Sequence, residues 1–203
     1  MRYTFKLLIA GDGGVGKTTL VDRYVNGTFR DNTRITLGVQ FMVKRLNIND
    51  NPIDLQIWDF GGEDRFRFIL PAYCTGAHGA IFMYDVTNPS SLYHLNDWLS
   101  VLRNKNGKFP IIIGGTKIDL DHNRKIQLEE AVSEANKFGI SGVIEVSAKT
   151  GQNVDELFYI ISEQMMKSCQ LKPEIPALNP IAAASKKGTS NYELYLKRRE
   201  QDL

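Results

Sequence analysis

The sequence has little of what a secreted or membrane-spanning protein needs. Its 203 residues include two cysteines, Cys74 and Cys169. They stand far apart without metal-ligand spacing, which is typical of small apolar fillers in a reducing compartment. No apolar run approaches the roughly 18 residues of a transmembrane helix, and the first residues lead into a strand pattern without the regions of a secretory signal. We therefore expect a cytoplasmic protein.

An excess of charge of one sign is missing as well. The net charge is +2, and it falls in the tail after residue 170, because basic and acidic residues balance in residues 1–170. A neutral body argues against binding of nucleic acid. With 42% hydrophobic and 24% charged residues, the chain is neither collagen-like nor wholly disordered. Its length suits one domain of about 150 to 200 residues with a tail.

Six apolar runs have the composition and length of β-strands. Segments of helical periodicity separate most of them, but the second and third are joined only by a short turn at residues 49–52, which predicts an antiparallel hairpin. The pattern predicts an α/β fold with a six-stranded, mostly parallel sheet, one antiparallel edge strand and helices on both faces. Ligands of such sheets bind beyond the carboxyl ends of the strands. The six runs are residues 5–10, 39–48, 53–60, 80–86, 110–115 and 143–146.

The periodic pattern ends near residue 170. We predict one domain over residues 1–169 and a flexible, proline-punctuated linker over residues 170–190. Residues 191–203 form a short charged segment in which the spacing of Tyr192, Tyr195 and Arg199 allows one face of a short helix. Such a helix needs a surface to pack against, because short helices are marginal alone.

Residues 11–18 match the pattern GxxxxGK[ST] between a strand and a helix pattern. Its glycines let backbone N–H groups turn toward phosphate oxygens, and the following helix directs its positive end at them. Lys17 adds a full charge, and Thr18 supplies a hydroxyl ligand to Mg²⁺. The context disfavours the other interpretation, a glycine-rich turn with an exposed lysine. The predicted phosphate-binding residues are Gly13, Gly14, Val15, Gly16, Lys17, Thr18 and Thr19.

Two later strand ends indicate which base is bound. Asp119 follows the fifth strand, and its carboxylate can accept hydrogen bonds from N1–H and the exocyclic amine of guanine, whereas adenine has no donor at N1. Lys117 can place its stem over the ring, and the backbone N–H of Ala148 can reach the guanine carbonyl. Each short motif is weak evidence when taken alone, but the motifs together, in this order and at strand ends, predict a guanine-binding site. The predicted base-site residues are Thr116, Lys117, Asp119, Ser147, Ala148 and Lys149.

At this point the sequence resembles the Ras-like small GTPases, most closely the Rab branch, over about residues 3–168. Asp59 begins a segment similar to the family's DxxG element, Thr36 is similar to its switch I threonine, and Phe29 to the aromatic residue that packs on guanine. Three strings, at residues 37–41, 55–59 and 65–67, are similar to Rab signatures. Phe41, Trp58 and Tyr73 match the apolar triad with which Rab proteins contact effectors.

The resemblance implies a P-loop NTPase G domain that works as a GTP/GDP-dependent switch. Thr36 and Gly62 would reach the γ-phosphate, and Thr18, Thr36 and Asp59 would hold Mg²⁺. Loss of the γ-phosphate would relax switch I and switch II and release effectors. Exchange factors and GTPase-activating proteins are implied as further partners, and we expect a monomer. The implied catalytic residues are Lys17, Thr36, Gly62 and Glu63.

The chain departs from the family at three places. Glu63 stands where a catalytic glutamine is usual; it could act as a better base or, as an anion, oppose the transition state. We expect slow intrinsic hydrolysis, with a nucleotide-locked, non-hydrolysing binding module as the alternative. Thr116 replaces the usual asparagine, which we expect to leave guanine specificity intact. A small-molecule kinase with the same P-loop is a third, weaker interpretation because no arginine-rich lid is recognisable.

The third departure is the tail. No prenylation motif is present, and Cys169 is followed by 34 residues. We expect a solvated or self-docking tail without a lipid anchor. Weak peripheral membrane contact through residues 192–199, which include Lys197, Arg198 and Arg199, is the open alternative.

Overall fold

The computed structural model describes residues 2–30, 36–62, 70–103, 109–140, 142–170 and 181–183. The strands are β1 (Tyr3–Ala10), β2 (Val39–Ile48), β3 (Asn51–Phe60), β4 (Gly79–Asp85), β5 (Ile111–Thr116), β6 (Gly142–Glu145) and β7 (Ile181–Ala183). The helices are α1 (Lys17–Asn26), α2 (Leu70–Tyr73), α3 (Pro89–Tyr93), α4 (Leu95–Leu102), α5 (Leu128–Lys137) and α6 (Val154–Gln170), with a 3₁₀ helix at Ile118–Asn123. Within this part of the chain, no helix has the length and apolar character needed to cross a membrane.

The described strands form one sheet in the order β2-β3-β1-β4-β5-β6-β7. Only β2 and β3 pair antiparallel, and the other neighbours pair parallel. The predicted α/β fold, with six strands and one antiparallel edge strand, is therefore confirmed for β1 to β6, and β7 adds a seventh strand to the sheet. The bounds of β4, β5 and β6 differ from the predicted ones by one residue at each end.

The hairpin turn is tighter than the sequence suggested. Asn49 and Asp50 both have positive φ, 48° and 63°, which suits a two-residue turn because Asn and Asp tolerate this conformation. As a result β3 begins at Asn51, and Pro52 lies inside the strand. A proline is tolerated there because pairing of β3 with β1 begins only at Ile53.

The strand β7 was not predicted. It lies inside the predicted linker and pairs parallel with β6, Ile181 opposite Gly142. The helix α6 extends to Gln170, one residue beyond the predicted domain boundary. Residues 171–180 and 184–203 lie outside the described residues, as does the basic segment 192–199, so the domain boundaries and the role of the tail stay predictions.

Two hydrophobic clusters cover the two faces of the sheet. Successive residues of β1 alternate between them, with Leu7 and Ile9 in one cluster and Leu8 and Ala10 in the other. The helices α1 and α6 contribute to the first cluster, and α4 and α5 to the second. The segments of helical periodicity in the sequence therefore place apolar side chains in the core. Both faces of the sheet are therefore covered, and the loops at the carboxyl ends of its strands are left to carry polar side chains.

Candidate functional site

A cavity of about 530 Å³ lies among the loops that follow β1, β5 and β6. It brings together nearly all residues that the sequence predicts for nucleotide binding. Those on its wall are Gly13, Gly14, Val15, Gly16, Lys17, Thr18, Thr19, Phe29, Thr36, Gly62, Thr116, Lys117, Asp119, Ala148 and Lys149. Arg30 and Leu120 also line the cavity, and no motif marked them in the sequence.

The loop between β1 and α1 is shaped to receive anions. Gly16 precedes α1 with φ 93° and Gly14 has φ 77°, a left-handed conformation that glycine adopts without strain. The side chain of Lys17 is folded into the loop, where Nζ donates to the carbonyl oxygens of Gly11 at 2.8 Å and Asp12 at 2.6 Å. A largely buried cation and the amino end of a helix therefore meet at one point, which favours bound phosphate.

Three side-chain oxygens gather beside this loop. The hydroxyl of Thr18 donates to Asp59 Oδ2 at 2.5 Å and lies 2.7 Å from the hydroxyl of Thr36. Asp59 is fully buried, and its Oδ1 has no hydrogen-bond partner among the described residues. Burial raises the pKa of Asp59 to about 6, although the Thr18 hydrogen bond and Lys17 act in the other direction.

Hydroxyl and carboxylate oxygens are the ligands that Mg²⁺ prefers. A buried carboxylate oxygen without a partner is costly unless a cation or a donor satisfies it. The donor set at Thr18, Thr36 and Asp59 therefore fits a magnesium ion.

The other end of the cavity carries the residues predicted to bind a base. Asp119 lies on the wall and accepts a hydrogen bond from Ser147 Oγ to Oδ1 at 2.6 Å. Ser147 itself is fully buried and does not line the cavity. It therefore stands behind Asp119 and orients that carboxylate.

Lys117 is fixed between two elements. Its Nζ lies 2.5 Å from Asp85 Oδ2 and donates to the carbonyl oxygen of Gly14 at 2.8 Å. Asp85, at the carboxyl end of β4, is nearly buried and also accepts from the backbone N–H and hydroxyl of Thr87. Sequence reasoning missed Asp85, although its place at a strand end was an available signal. These two contacts connect β4 to the loop that follows β5 (the base loop, residues 117–119) and to the loop that follows β1 (the phosphate loop, residues 11–16).

Gly62 approaches the phosphate loop more closely than any side chain would allow. A Cβ atom at Gly62 would lie 2.2 Å from the carbonyl carbon of Asp12 and 2.3 Å from the nitrogen of Gly13. The segment after β3 therefore touches the loop after β1 backbone to backbone. Glu63 and residues 65–67, which the sequence singled out, lie outside the described residues.

An aromatic cluster lies on the outer surface of the hairpin. The ring centroids of Phe41 and Trp58 are 5.1 Å apart, and those of Trp58 and Tyr73 are 5.8 Å apart. Phe41 is 51% exposed and Tyr73 36%. The ammonium group of Lys6 lies 4.4 Å from the centroid of the Trp58 ring, a cation–π contact that holds the central ring. Exposed, contiguous apolar side chains of this kind mark interaction sites.

Comparison with known proteins agrees with this arrangement. A model of the Ras family matches residues 6–167. Ras-related protein Rab-19 of Xenopus laevis is 39% identical over 169 residues, which cover 81% of this chain and 78% of that protein. Ras-related protein Rab-2B of Dictyostelium discoideum is 40% identical over 172 residues, with 84% and 85% coverage. Ras-related protein Rab-13 of Canis lupus familiaris is 36% identical, with 81% coverage of both chains. The chain therefore belongs to the Ras family of small GTPases, within its Rab branch.

Proposed function

We propose that this protein binds GTP and GDP with Mg²⁺, hydrolyses GTP slowly and works as a molecular switch. One observation carries the proposal: a single cavity has an anion-binding loop around Lys17 at one end and the carboxylate of Asp119 at the other. A nucleotide has the same two ends, a polyphosphate and a base. Membership of the Rab branch supports the same conclusion.

The base end favours guanine. An ionised carboxylate accepts hydrogen bonds and donates none, so Asp119 matches the two adjacent donors of guanine, N1–H and the amine. Adenine would leave the carboxylate without a partner, which is unfavourable in a site shielded from water. Ser147 holds one carboxylate oxygen, and this contact reduces the freedom of Asp119 before the base arrives.

The phosphate end distinguishes the two nucleotide states. Lys17 would neutralise phosphate oxygens, and Thr36 and Gly62, which line the same cavity, would both contact the terminal phosphate. Thr18, Thr36 and Asp59 would hold Mg²⁺. When bound, the ion would offset part of the negative charge of the phosphates. Because GDP lacks the terminal phosphate, Thr36 and Gly62 lose a common contact after hydrolysis, and the surface of the hairpin and α2 changes with them.

The partners we infer are those of a Rab-type switch: effectors, exchange factors and GTPase-activating proteins. The aromatic cluster of Phe41, Trp58 and Tyr73 is the surface that would contact an effector. Its central ring belongs to β3, whose last residues are Asp59 and Phe60, so the cluster and one of the proposed metal-binding residues, Asp59, share one strand. A change at the nucleotide therefore has a short path to this surface.

The decisive experiment has two parts. First, the nucleotide that co-purifies with the protein is identified, and the affinities for guanine and adenine nucleotides are compared in the presence of Mg²⁺. Second, phosphate release is followed in a single turnover of bound GTP for the unmodified protein and for Glu63→Gln. We expect guanine nucleotide, slow phosphate release, and a measurable rate in both proteins, because Glu63 tunes an otherwise intact site.

Two results would contradict the proposal. Equal affinity for guanine and adenine nucleotides would refute the assignment of Asp119. Absence of phosphate release from both proteins, together with identical tryptophan fluorescence in the presence of GDP and of a non-hydrolysable GTP analogue, would replace the switch by a nucleotide-locked module.

A further inference from the structure

The P-loop residue Asp12 is bound through its side chain to the α3–α4 segment. His94 Nδ1 lies 2.6 Å from Asp12 Oδ2, and Trp98 Nε1 donates to Asp12 Oδ1 at 2.9 Å. His94 and Trp98 stand four positions apart, and the backbone N–H of Trp98 donates to the carbonyl of His94. Residues at this spacing share one helix face, so both oxygens of one carboxylate are bound by a single face.

The backbone of the same residue contacts Lys17 and Gly62, two of the residues that we propose to bind the terminal phosphate. The carbonyl of Asp12 accepts from Lys17 Nζ at 2.6 Å, and Gly62 packs directly against the peptide between Asp12 and Gly13. The position of this peptide therefore decides whether Gly62 can dock. The side chain of Asp12 is held by His94, just before α4, and by Trp98 of α4. The position of the peptide on which Gly62 packs therefore depends on a helix that does not line the cavity.

We propose that His94 and Trp98 are positioning residues for the GTP-bound form. By holding the Asp12 carboxylate they keep the Asp12–Gly13 peptide where Gly62 docks, and thereby set the preference for GTP over GDP. The inference rests on the proposed function, because it assigns two residues to the same nucleotide site. GDP has no terminal phosphate for Gly62 to contact, so loss of either side-chain donor weakens GTP binding more than GDP binding.

The two donors differ in how safely they can be replaced. The side chain of His94 is 46% exposed, so His94→Ala removes its hydrogen bond without leaving a cavity in the core. In His94→Asn, the amide nitrogen can take the place of Nδ1 and restore a donor to Asp12. Trp98 is fully buried, and Trp98→Phe keeps an aromatic ring while removing the indole N–H.

A neighbouring residue provides the matched control. Tyr93 hydroxyl donates to Glu130 Oε1 on α5, and Tyr93→Phe removes a hydrogen bond from the same turn without touching the P-loop. The experiment measures dissociation rates of fluorescent GDP and of a fluorescent, non-hydrolysable GTP analogue from the full chain with Mg²⁺. The quantity compared is the ratio of the two rates in each variant.

We expect His94→Ala and Trp98→Phe to raise the dissociation rate of the GTP analogue about threefold to tenfold relative to that of GDP, because only part of the loss of a hydrogen bond to a charged group falls on the GTP-bound form alone. His94→Asn should restore the original ratio, and Tyr93→Phe should not change it. Equal acceleration of both nucleotides in His94→Ala would overturn the inference, because it would show a merely structural role. Failure of the unmodified protein to bind guanine nucleotide would instead refute the proposed function itself.

Discussion

Thr116 and Val15 are joined by a hydrogen bond that connects the end of β5 to the phosphate loop. Thr116 Oγ1 lies 2.7 Å from the carbonyl oxygen of Val15 and 2.8 Å from that of Tyr84 on β4. Thr116 stands where the family usually has asparagine, and its hydroxyl is almost completely buried. Thr116 therefore connects the base loop to the phosphate loop.

This contact predicts the effect of truncating Thr116. Thr116→Ala should weaken GTP and GDP binding alike, by about fivefold to thirtyfold, because it leaves a buried carbonyl without its donor. Thr116→Ser keeps the hydroxyl and should bind normally. The dissociation rate of a fluorescent guanine nucleotide is measured for both variants. In the unmodified protein, displacement of GTP by ATP at comparable concentration would contradict the expectation that guanine specificity survives the threonine.

Asp119→Asn should change which base is bound. Ser147 can still donate to the side-chain oxygen of the asparagine, so the new amide nitrogen would take the place of the second carboxylate oxygen. That nitrogen donates, which opposes the guanine amine but suits the carbonyl that xanthine carries there. We expect guanine affinity to fall by about a hundredfold or more, and xanthine nucleotides to compete better than guanine ones. Competition binding with both nucleotides provides the measurement, and an unchanged order of preference would show that Asp119 does not contact the base.

Gly62→Ala should affect the response to GTP and leave GDP binding intact. The added Cβ would overlap the Asp12–Gly13 peptide at 2.2 to 2.3 Å, so Gly62 could no longer dock. We expect GDP binding to persist, while the GTP analogue no longer alters tryptophan fluorescence. A normal nucleotide response in Gly62→Ala would disprove the importance of this contact.

His78 should make stability depend on pH. Its Nδ1 accepts the backbone N–H of Lys6 at 3.0 Å, and burial together with the Lys6 charge lowers the pKa of His78. The unfolded chain takes up a proton near pH 6.5, whereas the folded chain does so only at lower pH. The free energy of unfolding should therefore fall as pH drops below about 6.5, and this contribution should be constant above it.

His78→Asn tests this dependence, because the amide oxygen can accept the same hydrogen bond without titrating. Urea unfolding of both proteins, saturated with GDP, is compared between pH 5 and pH 7.5. The difference in unfolding free energy between the two proteins should vary with pH in that range. A difference that stays constant would show that titration of His78 does not cause the pH dependence of stability.

Most of the fold could be predicted because its signals are local. The alternation of apolar runs and helical stripes predicted the order of the strands and helices, and the turn residues Asn49 and Asp50 predicted the hairpin. The strand β7 was missed because Ile181–Ala183 carries no periodicity, and its pairing depends on the edge that β6 offers. The phosphate loop was recognisable because its spacing is set by the backbone within eight residues.

The sequence alone determined which residue types meet at the strand ends: the glycines and Lys17 of one loop and Asp119 of another, from which we propose phosphate and guanine binding. Only the tertiary structure decided how those residues are held. Ser147 stands behind Asp119, Asp85 pairs with Lys117, and His94 binds Asp12 from 82 positions away. Such contacts join residues that are distant in the chain, and they arise from the packing of helices on the sheet, which no local pattern records.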